Sequence, residues 1–304
     1  MNGKCALCAR DAELQVGHII PKFVFSWLKE TAPGGIRSNR VPNRRIQDGE
    51  KQYLLCSDCE ELFSRWETTF CERLFLPLHS SSSVSNPVRY GPWALKFAVS
   101  VSWRVLLYYL QLGMSHFSEE HRETAREALN VWRGFLLEEQ PHPGQFEQHL
   151  LPVDVIERYS GPAISPFMNR YLLRSVHMDV LCSDTSAIVY TKMCRLVLFG
   201  FIQQGNSHHW KGTKLHVKSG LVAARDYVVP GEIADYMNEK ADHSAKILAS
   251  LSPRQKQMIH EMIMDNAGEL ANSEVFRAMY YDVAHSGRDA FGVTESDQDR
   301  GQEM

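Results

Sequence analysis

Two Cys-x-x-Cys pairs constrain this chain more than anything else in it. Cys5-Ala6-Leu7-Cys8 stands at the start, and Cys56-Ser57-Asp58-Cys59 follows after a gap of 47 residues. Two thiolates at that spacing reach one metal ion from a tight turn, and structural zinc takes four nitrogen or sulfur ligands. Cys5, Cys8, Cys56 and Cys59 are therefore expected to hold one Zn²⁺, with the chain leaving the site and returning to it. Two other readings exist. One pair could be redox-active, but that needs a βαβ context that the pattern lacks. His18 could instead replace one cysteine as the fourth ligand. Cys71, Cys182 and Cys194 sit among apolar neighbours and read as core residues.

The 304 residues are 44% hydrophobic and 23% charged, as in ordinary globular proteins, with material for one large domain or two. Seven cysteines, four of them paired, fit a reducing compartment better than a disulfide framework. The opening Met1-Asn2-Gly3-Lys4 has no apolar signal core, so a cytoplasmic location is expected. The most apolar run, Phe97 to Leu112, contains Arg104 and follows Lys96. It reads as a buried helix and not a membrane span, because a charge at the centre of a span is costly.

Residues 1–78 read as a self-contained module. It has an extended segment through Leu14-Gln15-Val16, a short helix after Pro21, a loop from Ala32 to Glu50, and a strand at Gln52 to Leu55. A helix is then expected over about Ser57 to Phe75, where Leu62, Phe63, Trp66 and Phe70 recur at helical spacing. Ser80 to Ser83, flanked by prolines, reads as a linker. Residues 79–286 follow as a mainly helical region. Helices are expected over Trp93–Leu112, Glu119–Glu139 (N-cap Ser118), Glu232–Leu251, Pro253–Asn266 and Ser273–Ala284. Apolar runs at His177–Cys182, Ala187–Tyr190, Cys194–Gln203 and Thr213–Val217 predict a small antiparallel sheet, and the Pro/His/Gly-broken stretch from Gln140 to Pro166 reads as irregular with short helical pieces. Residues 287–304 read as a disordered acidic tail. The fold class is α+β.

Cys-x-x-Cys, then Gly17-His18-Ile19-Ile20-Pro21, then Leu-Cys-x-x-Cys opening a helix resembles the HNH, or His-Me finger, endonucleases, whose treble-clef zinc holds a ββα unit. The resemblance covers about the first 75 residues. It implies that His18 is the general base that activates a water against a phosphodiester, and that Mg²⁺ or Mn²⁺ stabilises the leaving oxygen. Where the family has a metal-binding Asp beside the histidine, this chain has Gly17. Where it has His or Asn after the second pair, this chain has Glu60, a carboxylate that suits a hard ion. Glu67, seven residues on, lies near the same helix face and could assist. The family's middle Asn has no clear counterpart among Asn39, Asn43 and Asp48.

The net charge of −3 excludes a polybasic protein, so nucleic-acid binding would need a local patch. Arg37, Arg40, Arg44, Arg45 and Lys51 form one such patch, against Asp48 and Glu50, and Lys22 could add to it. The leading expectation is a metal-dependent endonuclease acting on DNA or RNA, with anti-phage or mobile-element defence as the analogous setting. The alternative is a non-catalytic zinc module that binds nucleic acid or protein. A third reading makes the chain an interaction protein stapled by zinc. Residues 79–286 carry no nucleotide loop or hydrolase elbow. They would serve specificity, sensing, a protein partner or homo-oligomerisation.

Overall fold

The computed structural model describes residues 1–31, 36–38, 41–80, 87–113, 117–161, 163–205, 209–223 and 226–291. It is mixed helix and sheet, as the α+β expectation has it, with small antiparallel sheets. The chain condenses into two compact units that interleave in sequence. The first is built from Met1–Val24, Gly49–Pro152 and Val176–Val229. The second takes Phe25–Asp48, Val153–Ser175 and the chain from Pro230.

In the first unit, β1 (Asn2–Lys4), β2 (Asp11–His18) and β5 (Lys51–Cys56) form an antiparallel sheet in the order β1-β2-β5. Leu14 faces Cys56 and His18 faces Lys51, with a bulge between Gln15 and Val16. The helix α2 (Ser57–Phe70) leaves β5 directly, with Asp58 and Glu60 in its first turn, where carboxylates complement the helix dipole. The expected single helix to Phe75 instead passes into a π-helical turn (Cys71–Phe75) and then α3 (Leu76–Ser80).

The helix α4 (Pro92–Gln111) is the axis of this unit. Residues from Ala94 to Tyr108 are buried on every face, as an all-round apolar helix requires. It packs against α2, against α5 (Glu119–Leu136), and against a second antiparallel sheet. That sheet runs β7-β10-β9-β8, from β7 (Gln148–Pro152), β8 (Val176–Cys182), β9 (Ala187–Met193) and β10 (Leu196–Gln203). Ser118 caps α5 as expected, its side chain accepting from His121 N–H at 3.1 Å. No helix among the described residues is long and apolar enough to cross a membrane.

Several elements differ from the sequence reading. β7 lies in the stretch read as irregular. It is buried at every position, so it has no polar alternation to betray it. Its polar residues are accommodated by specific partners: Ser102 Oγ donates to Gln148 Oε1 at 2.7 Å, and His149 Nδ1 meets Thr213 Oγ1 at 2.7 Å. Thr213–Val217 is no full strand. It touches the outer edge of β7 through the bridge His149–Lys214 and two flanking backbone bonds. A short ladder of β6 (Val88–Tyr90) with β11 (Gly220–Val222) completes the unit.

In the second unit, residues 32–50 are not all loop: β3 (Ile36–Ser38) and β4 (Val41–Ile46) pair, with Ile36 opposite Ile46. These β-branched residues suit a pleated ladder. The helices are α6 (Met168–Arg174), α7 (Gly231–Ala249), α8 (Pro253–Asp265), α9 (Ala267–Leu270) and α10 (Glu274–Ser286). Ser252 and Ser273 cap α8 and α10, accepting from Gln255 and Phe276 N–H. Asp282, 1% exposed, accepts from Asn169 N–H at 2.8 Å and Arg170 Nε at 2.7 Å, which satisfies the start of α6. The region read as a disordered tail begins with a 3-10 turn, Gly287–Phe291, with Ala290 buried. Residues 292–304, like Asn39, Arg40 and Ser81–Ser83, lie outside the described residues. The helix α1 (Lys22–Glu30) begins in the first unit and ends in the second.

Candidate metal centre and the site beside it

The first cysteine pair sits on a knuckle. Ala9 N–H closes a turn onto Cys5 C=O at 2.9 Å, and Ala9 takes the left-handed φ of 60° that the turn requires. Ala6 N–H bonds Leu54 C=O at 2.9 Å, which ties the knuckle to β5. That strand ends at Cys56, and one turn into α2 comes Cys59. The four sulfurs lie within 4.8 Å of one another, and Cys8 and Cys56 are 3.8 Å apart. A tetrahedral Zn²⁺ with bonds of about 2.3 Å has sulfurs about 3.8 Å apart, so the group could hold a structural zinc.

The surroundings suit thiolates. Cys56 N–H points to Cys5 Sγ at 3.4 Å. Arg10 brings Nε to 3.3 Å from Cys8 Sγ and Nη2 to 3.9 Å from Cys56 Sγ, while Asp58 holds the same Nη2 at 2.7 Å. Burial pushes the Cys8 thiol up, but its bonds to Arg10 outweigh that and hold it down at about 6. Burial raises Cys5 and Cys59. Four thiolates on Zn²⁺ carry two net negative charges, and Arg10 offsets one. His18 is not part of the sulfur cluster, and among the described residues no other set of three or more His, Cys, Asp or Glu side chains converges closely enough to share an ion.

His18 is the last residue of β2 and is half-buried. Gly17, before it, faces the Glu60 carboxylate across a very short gap: a Cβ at position 17 would lie 2.2 Å from Glu60 Oε1. The Glu60 carboxyl occupies the space of the missing side chain. Burial raises its pKa, Arg104 pulls it down, and Glu67 pushes it up. No hydrogen bond or ion pair joins Glu60 to another described residue. A hard divalent ion needs few protein ligands, often one or two carboxylates with water and substrate oxygens. Glu60 could contribute one such carboxylate, and it belongs to no group of three or more candidate ligands among the described residues.

Glu67 is differently engaged, with Oε1 2.7 Å from Arg104 Nη2. Arg104, on α4, also donates from Nη1 to His18 C=O at 2.9 Å and from Nε to Ser100 C=O at 3.2 Å, and lies over the Phe63 ring at 5.2 Å. The sequence reading noted Arg104 only as a charge interrupting an apolar run. That interruption was the signal, because a cation inside an apolar helix demands a partner.

The basic residues divide between the units. Lys22 and Lys51 are exposed in the first, and Lys51 is opposite His18 in the ladder. Arg44 and Arg45 are exposed on β4 of the second. Arg37 is half-buried there, donating to Pro42 C=O at 3.0 Å and Gln255 Oε1 at 2.8 Å. Burial and the facing Arg45 lower its pKa. Asn43, also in the second unit, accepts from Ser252 N–H at 3.0 Å.

Compared with protein-family models, with curated proteins and with solved structures, the chain matches none.

Proposed function

We propose that the chain is an HNH-like, metal-dependent endonuclease that hydrolyses phosphodiester bonds of DNA or RNA, with anti-phage or mobile-element defence as its analogous setting. One observation carries the reading: the Glu60 carboxyl fills the void at Gly17, immediately before His18. In HNH enzymes that neighbourhood holds a strand-borne Asp. Here the helix would deliver the carboxylate that the strand lacks.

In this reading the four cysteines hold Zn²⁺ and fix the end of β2 against the start of α2. An imidazole nitrogen of His18 takes a proton from water as the water oxygen bonds to phosphorus, and the bond to the leaving oxygen breaks. Glu60 would hold Mg²⁺ or Mn²⁺, which supplies charge stabilisation at the leaving oxygen when bound. Lys22 and Lys51, exposed on the unit that holds His18, would contact the phosphate backbone.

The test is incubation of the protein with plasmid DNA and with RNA, in Mg²⁺, Mn²⁺ or EDTA, beside His18→Ala. Metal-dependent cutting that falls about 10²–10⁴-fold in the variant is expected for a lost general base. Cutting that survives in EDTA, or in His18→Ala, would overturn the assignment.

A further inference from the structure

Arg104 is 4% exposed, and its charge stands in a helix whose buried side chains are mostly apolar. A buried guanidinium persists only when its donors are used. Those of Arg104 reach three elements. Nε donates within α4 to Ser100, Nη1 donates to the carbonyl of His18 at the end of β2, and Nη2 lies 2.7 Å from Glu67 Oε1 in the last turns of α2, an ion pair without hydrogen-bond geometry. Because α4 is packed against α2, α5 and the sheet, the guanidinium is a fixed point from which the histidine-bearing strand end is held.

We propose that Arg104 is the positioning residue of this site, and that Glu67 serves Arg104 and not the divalent ion; the inference rests on the nuclease reading above. Glu67 already faces a cation at 2.7 Å. An ion bound to that carboxylate would have to share it with the guanidinium and meet like charge. Glu60 feels the Arg104 charge but makes no ion pair with it, so its oxygens are the ones left for the ion. The planar guanidinium matters, because Nε and Nη1 donate along two fixed directions to the Ser100 and His18 carbonyls while the charge faces Glu67, and Lys is a single point charge that cannot do both.

Four variants test this: Arg104→Met, Arg104→Lys, Glu67→Gln and the double variant R104M/E67Q. The double variant removes the half-buried carboxylate that Arg104→Met alone would leave unpaired, so it guards against simple misfolding. Zinc content and thermal unfolding verify the fold. Mn²⁺ binding, read from the electron paramagnetic resonance of the free ion, and the kcat and KM of plasmid cutting are then measured. Glu67→Gln is expected to bind Mn²⁺ as the parent does. Arg104→Met and the double variant are expected to lose kcat roughly 100-fold, the scale of a misplaced catalytic group, with KM and Mn²⁺ affinity retained. Arg104→Lys should restore folding while recovering only a small part of kcat. Loss of Mn²⁺ binding in Glu67→Gln, or full kcat in the folded double variant, overturns the inference alone. A parent protein that neither binds Mn²⁺ nor cuts overturns the nuclease reading, and this inference with it.

Discussion

Glu60 Oε1 lies 2.2 Å from where the Cβ of any other residue at Gly17 would be. The carboxyl is the far end of a flexible side chain, so Gly17→Ala should push it aside at a modest cost to stability, on the order of 1 kcal/mol. Mn²⁺ affinity and cutting should fall far more than the unfolding temperature does. Gly17→Asp combined with Glu60→Ala returns a carboxylate from the strand side and should recover Mn²⁺ binding that each single variant loses. Additive losses in this double-mutant cycle would show that the two positions do not share a space.

The sulfur cluster predicts one zinc per chain, measured by atomic emission after dialysis. Cys56→Ser should abolish stoichiometric zinc and unfold the sheet β1-β2-β5, because structural zinc in small modules contributes apparent binding energies of about 10–16 kcal/mol. Chelation should do the same to the parent. Retained zinc in Cys56→Ser would point to a fourth ligand other than that cysteine.

Part of this site was legible in the sequence, and the rest was hidden for identifiable reasons. The cysteine spacing gives a local constraint, so the four residues could be grouped before any fold was known. Ser118 was equally local, since a cap is read from its own turn. β7 was not legible, because a strand buried on both faces shows no alternation and its Gln148 and His149 look like surface residues until Ser102 and Thr213 are beside them. Gly17 looked like a lost ligand. Only the return of the chain through α2 brings the Glu60 carboxyl into the space beside it. Arg104 and His18 are 86 positions apart, and no periodicity links such a pair.

Gly200 in β10 marks where α4 lies against the sheet. A Cβ there would meet Ser102 Oγ at 2.5 Å, Ser102 Cβ at 2.7 Å and Gln148 Nε2 at 3.0 Å. Neither neighbour is loose, since Ser102 and Gln148 are bonded to each other and buried. Gly200→Ala should therefore destabilise by about 1–3 kcal/mol. Adding Ser102→Gly gives back the space and should recover part of the loss. Chemical denaturation reads both, and a neutral Gly200→Ala would refute the close packing.

Glu147 predicts how the first unit responds to acid. His149, at 3.4 Å, and Lys214 hold its carboxyl down at about 2 against the opposing effect of burial. The unfolded chain has the ordinary carboxylate value of about 4.5, so between pH 5 and 2 it binds a proton that the folded chain refuses. Stability from this group is thus complete above about pH 5 and is lost as pH falls through 2. His149 acts in the same direction, because burial lowers its pKa below 6.5, and protonation of the unfolded chain begins to cost stability below that value. Lys214 is half exposed, so solvent screening leaves the Glu147 contribution at about 1–2 kcal/mol. Glu147→Gln should lower the unfolding midpoint at pH 7 and flatten its decline between pH 5 and 2. A variant that declines as steeply as the parent over that window would show that Glu147 is not the group responsible.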